Sequence, residues 1–178
     1  MINTASIILG IDPGLRVTGY GIIKKNKLDL SYIASGIIKT GDRKDSLASR
    51  LKLIIQGLEE VISQFNPECV AIEKVFVNTN PQSTLLLGQA RGAAISAAVI
   101  HDLPVFEYTA LQIKKSVVGQ GHAKKEQVQL MVKKLLGLPS VASTDSSDAL
   151  ACGLCHANIS ASIAKLGVGN RMKRGRIL

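Results

Sequence analysis

Two short apolar runs, each stopped by an acidic residue, constrain this chain more than any other feature. Residues 7–11 are continuously apolar and end at Asp12; residues 69–72 repeat the pattern and end at Glu73. Runs of this length read as strands buried inside a sheet, and in open α/β sheets ligand sites gather at strand ends. Between them lie two further strand patterns, 17–24 and 30–38. Their β-branched residues and Gly19, Gly21 and Gly36 fit a twisted antiparallel meander.

The helical segments are marked by periodicity and by caps. Leu51, Ile54, Ile55, Leu58, Val61, Ile62 and Phe65 recur along one helical face until Asn66-Pro67 ends it. Asn80 as cap and Pro81 at the first helical position open a long helix to about Ile100, with a small-residue face at Gly88, Gly92 and Ser96. That face suits close approach to the chain's own sheet or to another helix. A short strand is expected over 105–108, helices over 111–118 and 124–136, and a last helix over 145–163. The order gives an α/β domain with a mixed β-sheet flanked by helices. Residues 1–164 are expected to form one domain, with 165–178 a basic, flexible tail carrying Lys165, Arg171, Lys173, Arg174 and Arg176.

Charge narrows the partner class. The 22 Lys and Arg residues outnumber the 13 Asp and Glu residues for a formal net charge of +9, which suits a polyanion such as nucleic acid. No apolar stretch is uninterrupted for the ~20 residues of a membrane span, and no export signal opens the chain, so a soluble cytoplasmic protein is expected. The odd number of cysteines, Cys69, Cys152 and Cys155, argues against a disulfide framework.

Against that basic background, four acids stand out. Asp12 and Glu73 end buried strands, while Asp145 and Asp148 are spaced i and i+3 on one helix face. If that helix begins beside the sheet edge, the four converge. Like charges ~4 Å apart repel by roughly 4 kcal/mol at an effective dielectric near 20, so the cluster calls for a hard divalent cation. Oxygen-only ligation suits Mg²⁺ or Mn²⁺, and a pair of such ions serves phosphodiester hydrolysis. Each acid also has an ordinary reading: Asp12 before Pro13-Gly14 fits a turn, Glu73 a solvated strand end, and the helix acids a favourable N-terminal dipole.

The strings IILGIDPGLRVTGYG (7–21), AIEKVF (71–76), LGQARG (87–92), LPVFEY (103–108) and DSSDAL (145–150) together resemble the RuvC family of Holliday-junction resolvases. The resemblance spans nearly the whole chain in the expected order. It implies a ribonuclease-H-like fold, a symmetric homodimer, four-way junction DNA as substrate, and collaboration with the RuvA and RuvB branch-migration complex. It places the metal-binding catalytic acids at Asp12, Glu73, Asp145 and Asp148, a base-contacting aromatic at Phe76, and DNA-binding lysines at Lys114 and Lys125. Without it, Phe76 reads as a strand-end core residue. The adjacent Lys115 and Lys124 compete for the lysine roles, and all four also fit solvated helix faces.

Three other signals point elsewhere. Cys152-Gly-Leu-Cys155-His156 has the spacing of a haem attachment motif, but the cysteines continue the last helix at core spacing; buried structural thiols are expected, with no haem and no zinc. Gly10, Gly14, Gly19 and Gly21 are not followed by G-K-[ST] and open no helix, so no nucleotide site is expected. His101 falls at a helix end as a surface or capping residue.

Overall fold

The structure, a computed structural model, describes residues 5–27, 29–41, 45–75, 80–165, 172–173 and 176–177. Strands β1 (Ala5–Asp12), β2 (Val17–Asn26) and β3 (Asp29–Lys39) form the meander; α1 (Leu47–Phe65), β4 (Cys69–Glu73), α2 (Pro81–Ile100) and β5 (Val105–Tyr108) follow. The chain then runs through α3 (Ala110–Val118), α4 (Lys125–Leu136) and α5 (Thr144–Lys165). The sheet order is β3-β2-β1-β4-β5, with β1 antiparallel to β2 and parallel to β4. This is the mixed, helix-flanked sheet that the strand and helix order implies.

Period-two alternation sorts the central strands between two cores. Leu9 and Ile11 of β1, with Val70 and Ile72 of β4, pack toward α1 and α2. Ile8 and the alternate β4 residues Cys69 and Ala71 face α3, α4 and α5. By the same alternation Asp12 and Glu73 belong to the α5 side.

Helix α5 gains close contact with that face because the strands beneath it carry glycine. A Cβ on Gly10 would stand 2.0 Å from the Ala149 carbonyl oxygen, and one on Gly19 would stand 2.1 Å from that of Asp145. Gly10 pairs with Gly21 across the β1–β2 ladder, and Asp12 pairs with Gly19. The glycines read from sequence as meander residues thus form the floor on which α5 lies.

Local chemistry sets the helix ends. Ser143 caps α5, its hydroxyl accepting from the Ser146 N–H at 3.4 Å, and the Ser146 hydroxyl donates to the Gly36 carbonyl at 3.1 Å. The start of α5 is therefore tied to β3. Asn66 ends α1 in the left-handed region at φ 47°, and Asn80 caps α2 by accepting from the Ser83 N–H. Of the expected tail, the described residues Met172–Lys173 and Arg176–Ile177 pair as a two-stranded antiparallel ladder.

Helix α2 is long and apolar enough to cross a membrane by length and composition alone. Here its Ala90, Ala94 and Ala97 are fully buried in the core shared with α1 and the sheet. Its opposite face is open: a Cβ on Gly88 or Gly92 would meet nothing within 4 Å, so this small-residue face does not pack on the protein's own sheet. Cys69, Cys152 and Cys155 are buried free thiols, in keeping with core cysteines.

Because the obstacle at Gly10 is backbone rather than a flexible side chain, Gly10→Val is expected to cost about 3 kcal/mol, measured by urea denaturation. Gly88→Ala, on the open face, should fall within about 0.5 kcal/mol of wild type or above it, since it also favours the helix.

Candidate active site

The β1–β4 ladder aligns Ile11 with Ile72, so one step further Asp12 and Glu73 lie on neighbouring strands, whose spacing is about 4.8 Å. The close packing at Gly19 sets the first turn of α5, and with it Asp145, over the same sheet edge. Asp148 follows one turn on, lining with Glu73, Lys114 and Lys125 a cavity of about 260 Å³. The four acids expected from sequence are therefore brought to one end of the sheet, all four partly exposed.

Their charges act on one another. Burial, followed by the carboxylates of Asp148, Glu73 and Asp145, raises the Asp12 pKa from 3.8 to about 7. Glu73 is raised too, by burial and then by Asp148, against the opposing pull of Lys114 and Lys125. One cation is already in place: the Lys125 ammonium stands 2.6 Å from an Asp148 carboxylate oxygen. Burial lowers the Lys125 pKa, but its hydrogen bond and ion pair with Asp148 outweigh that, and the net shift is upward. The acids share an electrostatic field without a preformed ligand geometry: among the described residues no three Asp, Glu, His or Cys side chains are gathered closely enough to hold a metal ion.

The adjacent lysines separate. Lys114 lines the acid cavity, whereas Lys115 lines a different groove with Lys25 and Lys27. Lys125 reaches Asp148, and Lys124 instead sits at the N-cap of α4, its N–H donating to the Gln127 side chain at 2.8 Å. Phe76 lies outside the described residues.

The sequence matches the family of crossover junction endodeoxyribonuclease RuvC over residues 8–156. The chain belongs to the RuvC family. Among its relatives, the crossover junction endodeoxyribonuclease RuvC of Nitrosomonas eutropha is 61% identical over 168 residues, covering 94% of this chain and 93% of that protein. The protein of the same name from Methylobacillus flagellatus is 59% identical over 176 residues, covering 96% and 98%. Among solved structures, T. thermophilus RuvC in complex with a Holliday junction substrate is 33% identical, with a TM-score of 0.82 over 88% of this chain and 96% of that one. The yeast mitochondrial Holliday junction resolvase Ydc2, 13% identical with a TM-score of 0.63, shares the fold.

Within this RuvC-family chain, the single-residue reading missed Arg91. Its Nε donates to the Glu73 carbonyl at 3.3 Å, and its guanidinium pairs with Glu107, which also faces Lys74 at 3.9 Å. Arg91 therefore holds the backbone from which Glu73 projects. The available sequence signal was the LGQARG string, where an arginine interrupts an otherwise apolar, small-residue helix. The cysteine motif is explained by packing: Cys152 is fully buried beneath the acids, and His156 Nδ1 lies 2.7 Å from the Tyr108 hydroxyl with its ring against Phe106.

The upward shift of Asp12 carries a stability consequence with a definite sign. A carboxyl whose folded pKa exceeds its unfolded value costs stability as pH rises from about 3.8 through about 7. In EDTA, Asp12→Asn should therefore be more stable than wild type at pH 8, by up to about 4 kcal/mol, with the gain vanishing near pH 4. Urea titrations across that range check it; a variant less stable than wild type at pH 8 would remove the repulsion argument.

Proposed function

We infer that this protein is a crossover junction endodeoxyribonuclease, a metal-dependent nuclease that resolves four-way DNA junctions during recombination and repair. The observation that carries the reading is the convergence of four acids at one sheet end of a RuvC-family chain, where burial and the charges of the other three raise the Asp12 pKa. Asp12, Glu73, Asp145 and Asp148 form an all-oxygen donor set, and the raised proton affinity of Asp12 and Glu73 is the counterpart of an affinity for Mg²⁺ or Mn²⁺. When bound, such a cation supplies charge neutralisation at the scissile phosphate and a more acidic attacking water.

The chain's own residues do the remaining work. Asp12 and Glu73 hold two donors on neighbouring strand ends, and Asp145 and Asp148 bring two more on a helix packed backbone to backbone against its glycine floor. Lys114 and Lys125 place positive charge beside the acids, where a phosphate's charge is otherwise opposed. Lys125 can exchange its Asp148 carboxylate partner for a phosphodiester oxygen. Phe76, which follows β4 and Glu73 by a few residues, is the candidate to stack on unpaired bases. Hydrolysis would leave 5′-phosphate ends.

The protein acts in the cytoplasm as a homodimer, in which two-fold symmetry offers equivalent sites to strands of like polarity. The open α2 face supports this: Leu85 is 70% exposed and Ile100 64%, and Gly88, Gly92 and Ser96 leave room for a second helix between them. Residues 1–164 form the nuclease unit, and the basic 165–178 segment adds general attraction to DNA. RuvA and RuvB are its expected partners.

Two measurements test the reading. With a synthetic four-way junction and its linear duplex counterpart, wild type should make paired symmetric nicks in the junction alone. Asp145→Asn or EDTA should reduce cleavage by at least ~10²-fold while junction binding persists; binding without cleavage in every metal would overturn the catalytic assignment. Sedimentation should show a dimer that Gly92→Glu converts to monomer, because a charge then enters a close helix contact; a monomeric wild type would refute the α2 interface.

A further inference from the structure

A second charged concavity lies at the other end of the molecule. Lys25 near the end of β2, Lys27 just past it, Lys115 of α3, and residues 157–159 of α5 line a groove of about 570 Å³. Asn26 pairs with Ala5, at the opposite end of β1 from Asp12. Seven strand steps separate them, so the β2 side of the groove lies roughly 20 Å from Asp12, while its α3 wall is a different face of the helix that bears Lys114. It is no part of the site that would hold a scissile phosphate.

Its chemistry is specific in two ways. Among the described residues that line it there are three lysines and no carboxylate, so the groove carries uncompensated positive charge. One of these ammonium groups is held in place: Lys25 Nζ donates to the Ala157 carbonyl at 2.9 Å and to Ser160 Oγ at 2.8 Å. The lining is also partly apolar, through the partly exposed Leu30, Ile159 and Ala161, and it carries the amide side chains of Gln112 and Asn158.

Those features choose among anions. A free phosphate would leave the apolar lining wet, and a duplex backbone presents no apolar group to fill a concave site. A peptide with carboxylates for the lysines and a bulky apolar side chain for the lining satisfies both. We propose that this groove docks an acidic peptide segment bearing at least one large apolar side chain, displayed by a protein partner. Such a partner would bind while the acid cluster remained free for DNA, and Lys115, which the acid site does not use, acquires a role.

The test uses the full chain and three fluorescein-labelled peptides read by anisotropy: Asp-Glu-Leu-Asp-Phe-Glu, the same peptide with Ser for Leu and Phe, and the same peptide with Lys for each acid. The first should bind; the serine peptide should bind roughly tenfold or more weakly, and the lysine peptide not at all. Lys27→Gln with Lys115→Gln, both at exposed positions, should weaken the first peptide several-fold at a melting temperature within a few degrees of wild type, leaving junction cleavage unaltered. Absence of binding by the first peptide, equal binding of the serine peptide, or indifference to the double substitution would each overturn the proposal. A double variant that loses junction affinity would make the groove a DNA surface instead. None of the peptide arms depends on junction cleavage, so failure of the nuclease reading would leave them intact.

Discussion

The contact between α5 and the glycine floor of β1 and β2 is the interaction on which the rest of the structure depends. Sheet and helix ordinarily keep a side-chain layer between them, but at Gly10 and Gly19 backbone meets backbone. That approach brings a helix bearing Asp145 and Asp148 to the strand end bearing Asp12. A methyl group at either position would lift the helix and spread the acids. The same contact continues inward, where Leu150, Leu154 and Cys155 join Ile8 and Ile23 in one core. Site geometry and one of the two cores are thus set by the same packing surface.

The site so built is electrostatically unfavourable by itself. Asp12 has its proton affinity raised by burial and by three neighbouring carboxylates, and only part of that is offset by Lys125. Folding can tolerate such a cost when the surrounding core over-determines the backbone, as the buried strands and α5 do here. Repulsion among the acids is then available to favour a cation. Arg91, fastened to the Glu73 carbonyl and to Glu107, steadies the strand end on which that repulsion acts.

Charge is distributed over the molecule with equal economy. Adjacent residues in α3 serve different faces, with Lys114 beside the acids and Lys115 in the basic groove, because successive helical positions point about 100° apart. In α2 one face is buried alanine while the other exposes Leu85, Gly88, Gly92, Val99 and Ile100. The acid cluster, the open α2 face and the basic groove occupy separate surfaces.

Much of this was legible in the residues. Apolar runs, caps and periodicity placed the central strands, ended α1 at Phe65 and set α2 and β5 at their observed bounds, since these signals are local. The four acids were likewise marked by their positions at strand ends and at i and i+3 on one helix. Sequence could not decide that the β1 and β2 glycines face α5, that the Gly88 and Gly92 face is open, or which of two neighbouring lysines meets an acid. Those are relations between segments distant along the chain: Gly10 against Ala149, Glu73 against Arg91, Lys125 against Asp148. Local physics determined the elements and their chemical groups; only close packing in three dimensions decided which groups share a field, because glycine removes side-chain volume without specifying what will occupy the space.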